Sequence, residues 1–359
     1  MPLGATVLVD EMEKDPRRRF KLLSVVPGSA EKRKEGGFNG RYSADGIHWV
    51  PFSGNPILPV GTENVHLIRD PRSGKYIAYL RPYWLKHDPK SVEEKRIGAV
   101  TTSDDLYYWS EMKIVLTPDS VDDAWVQAPP QRTEFYAMHG FPYGHSYLGI
   151  IPLFRIERHI DPKVLTSGQS EHDGPMEGQL ITSRDGLTWR RMAQRNPVIP
   201  SGSSFDKSVF STTTMPLVVD DEIWLYYTGI NGGHGTPMPP KEITICLAKW
   251  RLDGFVSLVA DEAPGIVETA TIYSKGGKLE INADSSRGRI AVELVNDAGQ
   301  AIEGYSVAET VDVKADNVRQ HVRWRMHDRM PAGRSVRLRF RLERASLYSY
   351  TVLADDLSQ

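Results

Sequence analysis

Three segments of this chain repeat one short pattern, and that repeat restricts the fold more than any other feature. Ser43-Ala44-Asp45-Gly46-Ile47-His48-Trp49, Ser103-Asp104-Asp105-Leu106-Tyr107-Tyr108-Trp109 and Ser183-Arg184-Asp185-Gly186-Leu187-Thr188-Trp189 each read Ser-x-Asp-(Gly/Leu)-x-x-Trp. Lys249-Trp250-Arg251-Leu252-Asp253-Gly254-Phe255 is a degenerate fourth copy. The four aspartates stand 60, 80 and 68 positions apart, spacings too uneven for a helical solenoid. Asp followed by Gly suits a tight turn, because Gly accepts positive φ and the carboxylate accepts nearby backbone N–H groups. Each copy therefore reads as a strand–turn–strand corner whose Trp returns to cover a neighbouring strand. Asp45, Asp105, Asp185 and Asp253 are expected as turn residues.

Paired strand-like runs accompany the corners: 5–11 with 20–26, 65–68 with 76–81, 135–141 with 147–154, and 209–219 with 223–227. β-branched and aromatic enrichment between Gly, Asp and Pro turns favours strands in each. No stretch of twelve or more residues carries a helical apolar period. Four-stranded units repeated without helices predict the blades of a β-propeller. After Asp261 the corner disappears and short alternating runs take over, at 278–283, 289–296, 301–305, 322–324, 336–342 and 346–353. Arg337, Arg339 and Arg341 alternate with Val336, Leu338, Phe340 and Leu342, as in a strand with one apolar face and one solvated face. The expected class is all-β: a propeller domain over 1–262, with four blades visible, and a C-terminal β-sandwich over 263–359.

Composition excludes several functions. Lys plus Arg (44) nearly balances Asp plus Glu (46), so no basic excess drives nucleic-acid or anionic-membrane binding. Apolar runs such as 147–154 fall far short of the ~20 residues of a membrane-spanning helix. One cysteine, Cys246, excludes an intrachain disulfide and Cys-rich zinc sites. Met1-Pro2-Leu3-Gly4 shows no signal-peptide pattern. The chain as given is expected in the cytoplasm, or secreted or periplasmic if a leader once preceded it. Phosphate-loop, nucleophile-elbow, zinc-protease and dinucleotide motifs are all missing.

With the corners, Arg69-Asp70-Pro71 before Gly74-Lys75-Tyr76 and the terminal module together, the chain resembles glycoside hydrolases built on five-bladed propellers. The likeness is to families 32 and 43, and to family-32-like bacterial proteins among them. The likeness also runs through 173–180, 222–229, 251–257, 336–340 and 347–350. It implies a five-bladed-type propeller and carbohydrate cleavage by a carboxylate acid and base. Longer relatives carry another N-terminal blade. An open sheet edge would then call for a homo-oligomer, or for completion by a partner chain or the termini.

Glycosidic cleavage needs two carboxyl groups flanking the bond, and inner strands of a propeller bring distant acids into one funnel. Glu177, opening a strand after Asp173-Gly174-Pro175, is the expected general acid, with Gln179 on the same face. Asp206, Glu63 and Glu134 enter inner strands and are the expected base or nucleophile. Asp70 reads either as a transition-state stabiliser, by resemblance, or as a plain hairpin-turn residue. His139, Tyr136, Asn64 and His234 are expected to contact sugar, His234 from a flexible loop, and Trp125 is the expected stacking platform. Trp84, Phe141 and Tyr143 are further stacking candidates. The histidine spacing fits no metal-binding helix, so no cofactor is expected, although a funnel would have room for Ca²⁺ or Na⁺. The expected partner is a carbohydrate, with no nucleic acid or membrane. The competing expectation is a propeller that binds glycan or protein without catalysis.

Overall fold

The computed structural model describes residues 4–26, 36–59, 62, 64–84, 95–192, 194–202, 204–212 and 215–354. Strands dominate, and the helical elements among these residues are short 3₁₀ turns, such as Pro16–Arg18 and Pro162–Val164. No helix among them is long and apolar enough to cross a membrane. The chain divides into two compact units: Met1–Pro216 with Leu225–Ala248, and Leu217–Trp224 with Lys249–Gln359.

The first unit is a succession of antiparallel sheets. Ala5–Val9, Phe20–Val26, Gly37–Ser43 and Val50–Pro51 form the first in that order, and Val65–Arg69, Tyr76–Leu80, Gly98–Ser103 and Lys113–Leu116 the second. The third runs Arg132–Phe135, Ser146–Ile156, Met176–Ser183 and Trp189–Arg191. The fourth begins with Ser208–Thr212 beside Glu222–Ile230, which also pairs with Ile243–Arg251. Two expected strands are interrupted. The run at 135–141 is split between Arg132–Phe135 and His139–Tyr143, both paired with Ser146–Ile156, and the run at 209–219 holds the separate strands Ser208–Thr212 and Leu217–Val219.

The first three corners close by the same bonds. Asp45 Oδ1 accepts the N–H groups of Ile47 (2.9 Å) and His48 (2.8 Å), while Ser43 Oγ accepts that of Gly46 (2.9 Å). Asp105 with Ser103 and Asp185 with Ser183 repeat the arrangement. The residue after each aspartate is left-handed, with φ of 76° at Gly46, 73° at Gly186 and 70° at Leu106. A non-glycine there costs about 1–2 kcal/mol. Leu106 is 1% exposed in an apolar cluster, and burying a leucine contributes about as much in the other direction. Trp109 and Trp189 each donate Nε1–H to the carbonyl of that left-handed residue, and Trp189 packs edge-on against Tyr79 of the second sheet. The fourth copy differs, since Asp253 itself takes φ 55°.

Neighbouring sheets are tied by a second repeat that the sequence reading missed. Asp10, just after the first strand of the first sheet, accepts the Tyr76 hydroxyl of the second at 2.5 Å. Asp70, in the same place on the second sheet, accepts the Tyr147 hydroxyl of the third at 2.5 Å, together with the N–H of Ser73 at 3.0 Å. Asp70 is thus a buried turn-and-tie residue. Phe38, Leu58, Leu67 and Leu80 fill one apolar cluster of this unit, and Ile68, Phe135, Ile151 and Ile181 another.

In the second unit, Ala332–Glu343 pairs with Arg289–Val295 on one side and with Gly265–Glu268 and Ile272–Lys275 on the other. A second sheet runs Leu258–Ala260, Ala345–Leu353, Lys278–Asp284 and Asp316–His321. One apolar cluster draws Val336, Leu338, Phe340 and Leu342 from the first sheet and Leu279, Ile281 and Leu347 from the second. The arginine row takes the opposite face of its strand, as alternation requires, but it is paired with Glu268 and Glu293 rather than simply solvated. The expected strand at 301–305 is reduced to a single bridge at Ala301.

Candidate functional site

The third sheet distributes its polar side chains by strand parity. Glu134 lies opposite Phe154, which lies opposite Met176, so these three share one face; Glu177 lies opposite Leu153 on the other. Glu134 and Glu177 therefore do not face one another. Glu134 is 1% exposed and clamped by Arg132 Nε (2.7 Å) and Arg96 Nη1 (2.5 Å). Burial alone would raise its pKa most, but the two guanidiniums together outweigh burial and hold it below the ordinary carboxyl value. Glu177 pairs with Arg155 at 2.9 Å and accepts a bond from Gln179 Nε2 at 3.1 Å, while the Gln179 carbonyl accepts from Arg191. Asp206 accepts the Tyr227 hydroxyl at 2.6 Å.

The structure brings Tyr136 and His234 together. The Tyr136 hydroxyl meets His234 Nε2 at 2.8 Å, and Phe154 and Phe210 pack on both rings. His234 Nδ1 contacts the carbonyl of His172 at 3.2 Å. A carbonyl only accepts, so Nδ1 carries the proton and Nε2 accepts from the tyrosine. Arg132 donates to His172 Nε2 at 2.9 Å, which fixes that ring as the other tautomer would not. Burial lowers the His234 pKa to about 4, and burial with Arg132 and Arg96 lowers that of His172, so both rings are neutral near pH 7. The Arg81 and Arg96 guanidiniums lie 4.9 and 5.5 Å from the Tyr136 ring centre.

The loop holding His234 is tied to its surroundings by hydrogen bonds. His234 N–H donates to the Gly174 carbonyl (3.1 Å), Ser208 Oγ to that of Gly232 (2.8 Å), and buried Lys241 to that of His234 (2.8 Å). Gly235 N–H donates to Asp173 Oδ1 at 2.7 Å. This loop forms one wall of an open cavity of about 450 Å³, with Glu157, Arg158, Asp173, Lys207, Ser201 and Thr236 among its other lining residues. Arg158 binds Asp173 Oδ2 through Nη2 (2.5 Å) and Nε (2.8 Å). Gly233 is required by close approach, because a Cβ there would stand 2.3 Å from Asp173 Oδ1. Exposed Glu157 makes no ion pair among the described residues.

The remaining candidates lie apart from the cavity lining. Asp206 sits one layer behind it, since a Cβ on lining residue Gly202 would meet its carboxylate at 1.8 Å. His139 is buried with its ring 5.3 Å from that of His66, and burial lowers its pKa to about 4. His139 Nδ1, His66 Nε2 and Asn64 Oδ1 are buried atoms without a hydrogen-bond partner among the described residues. Trp125 is half-buried and donates to Thr133 Oγ1 at 2.9 Å, which ties its loop to Arg132–Phe135. Phe141 is buried and Tyr143 half-buried. Glu63 and the Trp84 side chain lie outside the described residues.

Sequence reasoning missed Glu157, Arg158 and Lys207 as lining residues and did not single out Asp173. The signal was present: Glu157-Arg158-His159 and Glu171-His172-Asp173 bracket a Pro- and Gly-containing excursion, and Arg158 and Asp173 stand opposite in the short ladder that results. Among the described residues no group of three or more His, Cys, Asp or Glu is placed to hold a metal ion.

No protein-family model matches this chain, and no curated protein matches it in sequence. Among solved structures it is similar to a glycoside hydrolase (11% identity, 68% of each chain covered, TM-score 0.46). It is similar to an N-acetylgalactosamine deacetylase from F. plautii in complex with blood group B trisaccharide (14% identity, 70% of this chain and 90% of that one, TM-score 0.35). It is also similar to a family-32 β-fructofuranosidase of Bombyx mori in complex with sucrose (11% identity, 93% of this chain and 76% of that one, TM-score 0.41). At scores below 0.5 none of these assigns a role to a residue here.

Proposed function

We propose that this chain is a glycoside-hydrolase-like protein that cleaves a glycosidic bond in an oligo- or polysaccharide, with its sheets as blades of a five-bladed-type propeller. The observation that carries this reading is the polar cavity with two carboxyl groups in unlike settings. Its volume falls within the roughly 300–1,000 Å³ typical of small-molecule sites. Arg158 and the Gly235 N–H hold the Asp173 carboxylate in place, which suits a base or nucleophile. Glu157 is the other carboxyl on the lining, makes no ion pair among the described residues, and takes the remaining role of proton donor in this proposal.

Glycan binding without cleavage is the second reading. It is favoured by the carboxyls of Glu134, Glu177 and Asp206, each already engaged by a protein partner. Self-association belongs to either reading, because Val7 and Val9 of the first sheet and Ile243 and Ile245 of the fourth are exposed apolar residues. Light scattering that finds a clean monomer would remove it.

The test is sugar release across a broad polysaccharide and oligosaccharide panel, with Glu157→Gln, Asp173→Asn and Glu177→Gln beside the parent chain. Loss of about 10²-fold or more in either cavity variant, with the fold intact, is the expected result. Loss in Glu177→Gln alone would move the acid to the third-sheet strand. Binding without release from any substrate would favour the second reading.

A further inference from the structure

We propose that His66 and His139, with the side-chain oxygen of Asn64, bind a divalent transition-metal ion of the Zn²⁺ type, and that the ion joins the second and third sheets. None of the three residues lines the cavity described above, so this site stands apart from the carbohydrate reading.

His66 lies in strand Val65–Arg69 of the second sheet, and His139 opens strand His139–Tyr143, which pairs with Ser146–Ile156 of the third. The two residues are 2% and 4% exposed, and their ring centres stand 5.3 Å apart. One ion held ~2.1 Å from a nitrogen of each ring, at the tetrahedral angle, sets two imidazole centres about 5 Å apart. His66 Nε2, His139 Nδ1 and Asn64 Oδ1 are all buried without a hydrogen-bond partner among the described residues. Buried polar atoms are normally satisfied, so three lone pairs left bare in neighbouring segments call for a ligand. Asn64 directly precedes the strand that carries His66. The other nitrogen of His66 donates to the backbone of Gly140, the residue after His139. Such a bond to a carbonyl fixes the tautomer of a metal-binding imidazole and leaves its bare nitrogen for the ion.

Room and charge favour an ion over water. A hydrogen-bonded water stands about 2.8 Å from its partners and needs a cavity of its own, whereas solvent reaches none of the three atoms. A metal ion at ~2.1 Å needs less space. Metal binding also asks for neutral rings, and burial disfavours the protonated form of both. No lysine or arginine among the described residues acts on either ring, whereas Arg132 and Arg96 bear on His172 and Arg96, Lys241 and Arg81 on His234. Both nitrogens of His234 already have protein partners. Two imidazoles and an amide oxygen suit Zn²⁺, Co²⁺, Ni²⁺ or Cu²⁺ rather than Mg²⁺ or Ca²⁺, and leave a fourth position for water. Asn64 is half-exposed and gives the ion its path from solvent.

The test is titration of the full chain, first stripped with a chelator, with Co²⁺ followed by visible absorption. We expect one ion per chain with the strong colour of four-coordinate cobalt, bleached when Zn²⁺ displaces it. An exposed histidine such as His48 would instead hold the ion among waters and give only the pale six-coordinate spectrum. His66→Phe and His139→Phe, which keep a ring but remove its nitrogens, should each weaken binding about tenfold or more. Should a variant fail to fold, hydrogen exchange of the parent chain with and without Zn²⁺ gives a second readout, with slowing expected at 65–69 and 139–143. A titration with no four-coordinate spectrum, binding undiminished in either variant, or Zn²⁺ that leaves exchange in those two strands unchanged would overturn the proposal.

Discussion

Each unit buries one glutamate between two arginines, and the two sites differ in what surrounds them. Glu293 of the second unit is 3% exposed and meets Arg339 and Arg341, whose side chains remain 20% and 39% exposed. It lies on the outer face of a strand whose other face supplies Val292 and Leu294 to a single apolar cluster. Arg339 also reaches Glu268, so the charges close on themselves at the surface. Glu134 of the first unit is held by arginines that are themselves about nine-tenths buried. Its network does not close, running on through Arg132 to His172, then His234 and Tyr136, and to the loop that walls the cavity. The lesson is one of placement. A buried pair backed by solvent is a surface fastening, whereas one between sheets orders the polar groups that lead to a site.

The sharpest way to break this contrast is Glu134→Gln. It would leave two guanidiniums in a water-poor setting, and destabilisation of about 3–5 kcal/mol is expected in urea titration of the first unit. A loss under 1 kcal/mol would show that water reaches the pair freely. The next effect is on pH dependence. His139 and His234 titrate near 4 when folded and near 6.5 when unfolded, both because burial disfavours the charged ring. The unfolded chain therefore takes up protons first as pH falls. Stability of the first unit should decline between about pH 6.5 and 4 by at most about 3 kcal/mol per ring. Neither histidine of the second unit is buried, so regional hydrogen exchange should show little change there over that window. An equal decline in both units would erase the distinction. The smallest effect expected is for Arg289→Met. Its partners Glu343 and Asp312 sit at a half-exposed surface, where solvent and salt screen the pair, so the midpoint of the same titration should move least of the three.

Local features were legible in the sequence and distant ones were not. The corners are made within seven residues, so their turn bonds follow from Ser, Asp and Gly alone. Leu106 holds a glycine's conformation because the repeat places it there, and its burial offsets the strain. The arginine row declared its alternation, but not the partners on other strands that pair with it. Glu134 could be placed at an inner strand, yet its clamp comes partly from Arg96, 38 positions away. The split of the 135–141 run at 136–138, which sets Tyr136 against His234, left no periodic mark. The cavity acids were missed because Glu157 and Asp173 meet only through a hairpin excursion that reads as loop.

The tyrosine ties carry a consequence for how the chain is made. Asp10 waits for Tyr76 and Asp70 for Tyr147, partners 66 and 77 residues further along. At ~5–20 residues per second of synthesis, each tyrosine emerges about 3–15 s after its aspartate. The corners need no such wait, since they close on themselves as soon as they leave the ribosome. For the second and third sheets, then, the aspartate acceptor is synthesised before the tyrosine that fills it, and the tie can close only once the later sheet has followed.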